Sequence, residues 1–263
     1  AKMIKELNKK QRQESQSSSA FWTLIQGLTK PTGYKPALLL TVIFILQQFS
    51  GILITIYYTV SFFQSVGSSV DPFLSSVGVG VVRLITTVVT SVLLRHFGRR
   101  PLFIYSSIGM AISIFIAGYL TKEIQNENVE NSLPILFILM YVSLGSIGFN
   151  TIPWIISAEL FPIEIRGMAQ SLIMGIANFS IFSVLKIYPF MDEALGGAFG
   201  VQWMFSIVSL IGALFIFVFL PETHKKELIE IEEYFKNNSV YPLRHKRQTR
   251  ELVEEAALEM IKQ

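Results

Sequence analysis

Six long apolar stretches constrain this chain more than any other feature of it. They run about 37–63, 73–94, 101–120, 134–158, 168–188 and 200–220. As helices, each is long enough to cross most or all of the roughly 30 Å of hydrocarbon in a bilayer. Length alone, 263 residues, would suggest one or two water-soluble domains, but only 16% of those residues are charged. In lipid every backbone N–H and C=O must find its partner within the protein, so apolar runs of this length must be helical. The predicted fold is an all-α membrane protein with a six-transmembrane-helix bundle over 37–220. A basic segment 1–36 precedes it, ending in a short pre-membrane helix near Phe21–Leu28. A tail 221–263 follows, with short helices near 227–235 and 251–261.

The distribution of positive charge sets the orientation. With both termini in the cytosol, only Lys122 of the 22 lysines and arginines falls in an opposite-side loop, while Arg83 and Lys186 lie inside spans. The remainder are all cytosolic, as the positive-inside rule requires. The expected product is an integral, multi-pass protein in the bilayer, placed in the plasma membrane. Its pI of about 9.0 then reflects membrane sidedness, and no nucleic-acid partner is expected.

Nothing in the sequence resembles catalytic machinery. There is no cysteine, which excludes disulfides and thiolate metal sites. His96, His224 and His245 stand in separate segments without metal-ligand spacing. Phosphate loops, dinucleotide fingerprints, nucleophile elbows and paired catalytic carboxylates are all missing. No catalytic residue, metal or cofactor is therefore expected.

The polar residues inside the spans carry the functional signal. Gln47, Gln48, Gly51, Thr55 and Tyr58 of the first span share an arc of roughly 100° at 3.6 residues per turn, while Tyr57 points elsewhere. Gly51 is a weak point in that long stretch, so a bent or broken helix is expected there. Ser143, Ser146, Asn150, Pro153, Trp154 and Ser157 of the fourth span likewise fall within roughly 100°. In the fifth, Ser171 and Asn178 share a face. Arg83 is the oddest residue, midway along the second span, where an arginine costs about 2.5–3.5 kcal/mol on insertion scales. Ser76, Thr86, Thr87 and Thr90 lie on its face, and no acid lies at mid-membrane to pair with it. Amides, hydroxyls, an indole and a guanidinium together suit hydroxyl-rich solutes: amides supply paired donors and acceptors, and an aromatic face packs on C–H surface. The alternative is structural, with these groups joining helix to helix, and with serine, threonine and backbone oxygens satisfying Arg83.

At these residues the chain resembles the sugar porter branch of the major facilitator superfamily, and within it the facilitated trehalose transporters of insects. Four motifs carry the likeness in order: Gln47-Gln48-x-Ser50-Gly51 with Tyr57-Tyr58; Gly98-Arg99-Arg100; Pro153-Trp154 with Glu159 and Arg166-Gly167; and Pro221-Glu222-Thr223. The resemblance implies the C-terminal half of a major facilitator fold, with a missing N-terminal six-helix bundle as its partner. It implies alternating access about a mid-membrane site. Gln47, Gln48 and Trp154 match sugar contacts; Tyr58, Arg83, Asn150 and Asn178 complete the candidate binding set. Gly51, Tyr57 and Pro153 are the candidate gate residues. Arg99, Arg100, Glu159, Arg166 and, by analogy, Glu222 match a cytosolic charge network that latches the inner side.

The sequence departs from the family pattern in several places. Leu53 and Arg83 replace usual asparagines, and Arg95 stands where an acid is expected. Asn178 sits one residue late, and His224-Lys225 replaces the usual pair after Pro-Glu-Thr. Three readings follow: a carrier for a sugar or related polyol; a carrier for an anionic sugar-like or organic acid that pairs with Arg83; or a non-transporting sensor or interaction protein.

Overall fold

Two of the apolar runs are broken into shorter helices, and the others pass unbroken through their internal glycines. The computed structural model describes residues 22, 25–66, 71–127, 133–226 and 228–237. The predicted basic stretch at the start of the chain, the basic patch at 244–250 and the helix at 251–261 lie outside the described residues. In chain order the helices are α1 (Pro31–Phe49), α2 (Ile52–Tyr57), α3 (Thr59–Val66), α4 (Pro72–His96), α5 (Arg99–Glu127), α6 (Leu133–Ile147), α7 (Ile152–Glu159), α8 (Arg166–Ala194), α9 (Ala198–Phe219) and α10 (Leu228–Asn237). No strand occurs among the described residues.

Among the described residues, five stretches are long and apolar enough to cross a membrane: Phe73–His96, Arg99–Asn126, Leu133–Glu159, Arg166–Ala194 and Ala198–Phe219. The first predicted span is not among them; it is divided into α1, α2 and α3. Pro31 occupies the first turn of α1 after an extended Lys30, which is why that helix begins ahead of the apolar run. Asp71 opens α4 by accepting from the backbone N–H of Phe73 at 2.8 Å.

Packing follows the apolar faces. The closest association is α9 on α5; α5 in turn lies on α6, α4 on α6, and α1 on α8 and α9. Phe44, Phe103, Tyr141, Phe149, Phe161 and Phe205 fill the interior and are fully buried. The short α10 lies on α1 and buries Ile231 and Phe235. The outer faces stay apolar: Leu74, Leu84 and Val88 of α4 and Phe179 and Phe190 of α8 are each more than 60% exposed. Such patches would drive a soluble protein to aggregate, whereas a bilayer solvates them.

Two helix breaks lie deep in the bundle. At Ser50–Gly51 the backbone turns left-handed, φ +83° at Gly51, where a side chain would also run into the Phe205 ring. The second break, at 148–151, divides α6 from α7 just before Pro153. Both must have their freed backbone groups satisfied within the protein.

Candidate functional site

Gln47 and Gln48 sit at the end of α1, just before the first break, and each is 1% exposed. The Gln47 Nε2 donates to the carbonyl of Phe149 at 2.7 Å and, more weakly, to that of Asn150 at 3.4 Å. Only a donor can meet a carbonyl, so this contact fixes which way the amide faces. The Gln48 Nε2 donates to the Gln47 Oε1 at 3.4 Å, and the Gln48 Oε1 has no hydrogen-bond partner among the described residues. A buried acceptor left in that state costs about 1–3 kcal/mol. It is a ready position for a hydroxyl donor.

Trp154 opens α7 beside this pair, half-buried, with its ring meeting Phe44 at 4.8 Å edge to face. Trp154 thus stands on α1 at Phe44, one turn ahead of the glutamine pair, across the α1–α7 contact. Asn150 lies in the break itself, its carbonyl turned to Gln47 and its N–H to the carbonyl of Gly145 at 2.8 Å. Further along, Tyr58 stacks on Tyr188 of α8 at 5.0 Å and donates to the carbonyl of Leu185 at 3.4 Å. Its neighbour Tyr57 is exposed, 66%. The arc predicted from the sequence thus separates them as expected, Tyr58 toward α8 and Tyr57 outward.

Two candidate residues stand apart from this cluster. Asn178 is exposed on α8 and its amide donates back to its own helix, at the carbonyl of Met174. Arg83 is half-buried on α4, beside the stripe of Ser75, Val79, Thr86 and Thr90 that meets the bundle. Among the described residues its guanidinium has no hydrogen-bonding or ionic partner. The nearby hydroxyls of Thr86 and Thr87 donate to backbone carbonyls, Thr87 to that of Arg83 itself at 2.7 Å.

A second cluster forms at the end of the bundle that carries Arg95–Arg100. The Arg99 Nη1 pairs with the Glu159 carboxylate at 2.5 Å and donates to the Thr223 hydroxyl at 3.1 Å. Glu222 is held differently. Its carboxylate accepts from the backbone N–H groups of Arg99, Arg100 and His224 at 3.0, 3.2 and 2.9 Å. The first two open α5, so Glu222 caps that helix from the far end of the chain, where the dipole favours an anion. Gly98 is needed beside it, because a Cβ there would lie 2.5 Å from the Glu222 Oε2. The Arg100 guanidinium turns to α9, donating to the carbonyl of Phe217 at 2.6 Å and lying 5.3 Å from that ring's centre. Arg166 donates to the carbonyl of Phe161 at 3.2 Å. Of the five residues assigned to a charge network, then, Arg99 and Glu159 form a direct ion pair, the charge of Arg166 also favours the Glu159 carboxylate, and Arg100, Arg166 and Glu222 each bond backbone.

Sequence reasoning passed over Tyr141. It is fully buried on α6, and its hydroxyl donates to the carbonyl of Ser50 at 2.7 Å. Ser106 was passed over too; it donates from α5 to the carbonyl of Leu144 at 2.5 Å, just ahead of the second break. Both are lone polar groups on apolar faces, and only the adjacency of a break could have marked them.

Comparison with known proteins places this geometry. The family model described as "Sugar (and other) transporter" matches residues 1–235. The facilitated trehalose transporter Tret1 of Apis mellifera ligustica is 34% identical over 224 residues, covering 84% of this chain and 44% of the relative. Tret1 of Bombyx mori is 36% identical over 203 residues, covering 76% and 40%. Among solved structures, the proton:xylose symporter XylE bound to 6-bromo-6-deoxy-D-glucose superposes with a TM-score of 0.66 at 29% identity, over 76% of this chain and 42% of that one. An inward open conformation of XylE from E. coli gives 0.64 at 28% identity over the same shares. The chain spans less than half the length of these relatives.

Proposed function

The chain belongs to the sugar (and other) transporter family, and from that premise we propose that it is the C-terminal six-helix bundle of an alternating-access carrier for a sugar or related polyol. An N-terminal bundle supplies the second wall of the path, in keeping with relatives about twice as long. Solute binds near mid-membrane, where Gln48 offers its unpartnered Oε1 to a solute hydroxyl and Trp154 offers an indole face to C–H surface. That free acceptor is the observation that carries the reading. Gln47 completes the pair, its amide nitrogen engaged with the carbonyl of Phe149 and its Oε1 accepting from Gln48. Gly51 and Pro153 mark the points where the first and fourth spans flex, with Tyr57 and Tyr58 at the outer side. The Arg99–Glu159 pair closes the cytosolic side, with Arg100, Arg166 and Glu222 holding the ends of the helices around it. The carrier lies in the plasma membrane with both ends of this bundle cytosolic.

The deciding experiment is solute binding to the full-length carrier in proteoliposomes. Wild type is expected to bind a hexose or disaccharide, and Gln48→Ala to weaken that binding well beyond tenfold. Wild-type affinity in that variant would remove Gln48 from the site.

A second reading is favoured by Arg83. An unpaired cation beside the packed face of α4 suits a carboxylate, so the transported solute on that reading is a sugar acid or organic acid.

A further inference from the structure

The face of α9 that meets α5 buries an amide with nothing to bond. Gln202, just over one turn into α9, is 0% exposed, yet neither its Nε2 nor its Oε1 has a hydrogen-bond partner among the described residues. The next residue repeats the pattern: the Trp203 Nε1 is buried and equally unmet. Both side chains leave α9 against Gly118 of α5. A Cβ there would lie 2.8 Å from the Trp203 Nε1 and 3.3 Å from the Gln202 Cβ. The indole is held where it stands. Phe115 stacks on it at 6.2 Å, Phe199 meets it edge-on at 5.6 Å, and the Lys122 ammonium lies 5.3 Å from its ring. Thr121 is fully buried three residues beyond Gly118, on the same side of α5. Its hydroxyl donates to the carbonyl of Ala117 at 2.8 Å and keeps lone pairs free to accept.

Three unmet polar atoms on consecutive residues call for an occupant, and enclosure decides which. A lipid or a carried solute is too large for a place the protein surface does not open, and a second bundle packed outside cannot touch Gln202. Left bare, each of the three atoms would carry the full penalty of its lost hydration. We propose that Gln202 and Trp203 hold buried water against Gly118, joining α9 to α5 through it. One molecule accepts from the indole N–H and donates to the Gln202 Oε1. A second accepts from the Gln202 Nε2 and donates to a Thr121 lone pair. Internal water in proteins sits in such polar, closed places.

Ser206, one turn further along α9, makes a dry tie beside this wet one: its hydroxyl donates directly to the carbonyl of Ala111 of α5 at 2.8 Å. Together they fix how α9 is rotated on α5, because turning it would carry an amide and an indole N–H into hydrocarbon. The wet tie lies at the end of the pair opposite the Glu222 cap, so α5 is held to the last span at both of its ends. The inference does not depend on what the chain carries.

Two measurements on the full-length protein in lipid nanodiscs test it. In a cryo-electron microscopy map fine enough to show ordered water, density is expected about 2.7–3.2 Å from the Trp203 Nε1 and from a Gln202 amide atom. Density that belongs to protein there, or no density, overturns the proposal. In solid-state NMR with isotope-labelled glutamine and tryptophan side chains and deuterated lipid, the N–H protons of Gln202 and Trp203 should both draw magnetisation from water. Gln202→Met identifies the amide signal by its loss. It should also weaken the transfer to Trp203 at least about threefold, since the shared molecule loses one of its roughly three bonds. Undiminished transfer in that variant, or transfer to neither group in wild type, overturns the shared site.

Discussion

Glu222 caps the helix that Arg99 begins: its carboxylate accepts from the Arg99 backbone N–H at 3.0 Å, although the Arg99 guanidinium is turned away to Glu159. The end of the last span is thereby tied to the start of the third, 123 residues away. An anion on the first N–H groups of a helix stabilises it, and loss of a good cap costs about 0.5–2 kcal/mol. Glu222→Ala should accelerate amide exchange in the first turn of α5 by several-fold, and Glu222→Gln, which keeps one acceptor, by less. Equal exchange in all three proteins would show that the contact adds nothing.

Gly98→Ala should weaken the same junction from the opposite side. The added methyl lies 2.5 Å from the Glu222 Oε2, so the carboxylate must withdraw from the helix end. Thermal unfolding in detergent is expected to fall in Gly98→Ala and to fall no further when Glu222→Ala is added. Additive losses would mean that the two residues act independently.

Gly51→Ala carries two penalties. A side chain at φ +83° is strained, and it meets the Phe205 ring. Left-handed backbone costs about 1–2 kcal/mol per residue and overpacking about 1–3 kcal/mol more. A sharp drop in monodisperse protein on gel filtration is expected, with partial recovery when Phe205→Leu is combined with it. A well-behaved Gly51→Ala protein would place the break elsewhere.

The Arg99–Glu159 pair is partly open to solvent, its side chains 21% and 27% exposed, so its contribution to stability is small, about 1 kcal/mol or less. Its effect should be read in conformation. The chain has no cysteine, which allows a single reporter thiol to be placed beside the pair. Glu159→Gln should quicken labelling of that thiol several-fold. High salt should produce a weaker form of the same effect in wild type, through screening. Labelling that ignores both changes would remove the pair from any latch.

Arg83→Asn tests the choice between neutral and acidic solutes. If the guanidinium recognises an anion, this variant should lose inhibition of uptake by sugar acids and gain preference for neutral sugars. Identical competition profiles in wild type and variant would exclude the anionic reading.

Much of this was legible before any coordinates. Apolar length gave the helices, and Gly51 marked a real break because a left-handed residue cannot continue an α-helix. The seams of Gln47, Gln48 and Tyr58 turned inward as their spacing requires. Periodicity could not reveal what each amide would meet. Gln47 and Phe149 are 102 residues apart, and Arg99 and Glu222 are 123. A cap supplied by so distant a residue leaves no local pattern. Glu222 joins the charge network only by analogy, and its place at an open helix end is something that sequence conceals. Asn178 was grouped with the site because its residue type suits a solute; its amide instead closes on its own helix.

The hydroxyls of α4 have one more effect. Ser75, Ser76, Thr86, Thr87, Thr90 and Ser91 each donate to a carbonyl on their own helix or at its start. Their hydrogens are thereby turned inward, and what the outer hydroxyls of the helix present sideways is oxygen lone pairs on either side of Arg83. On the carrier reading, a solute alongside would find acceptors for its own hydroxyl protons at more than one depth and could exchange one for the next without being gripped. The same sheath admits a lipid tail without stranding a proton, which lets one helix serve both a wet and an oily neighbour.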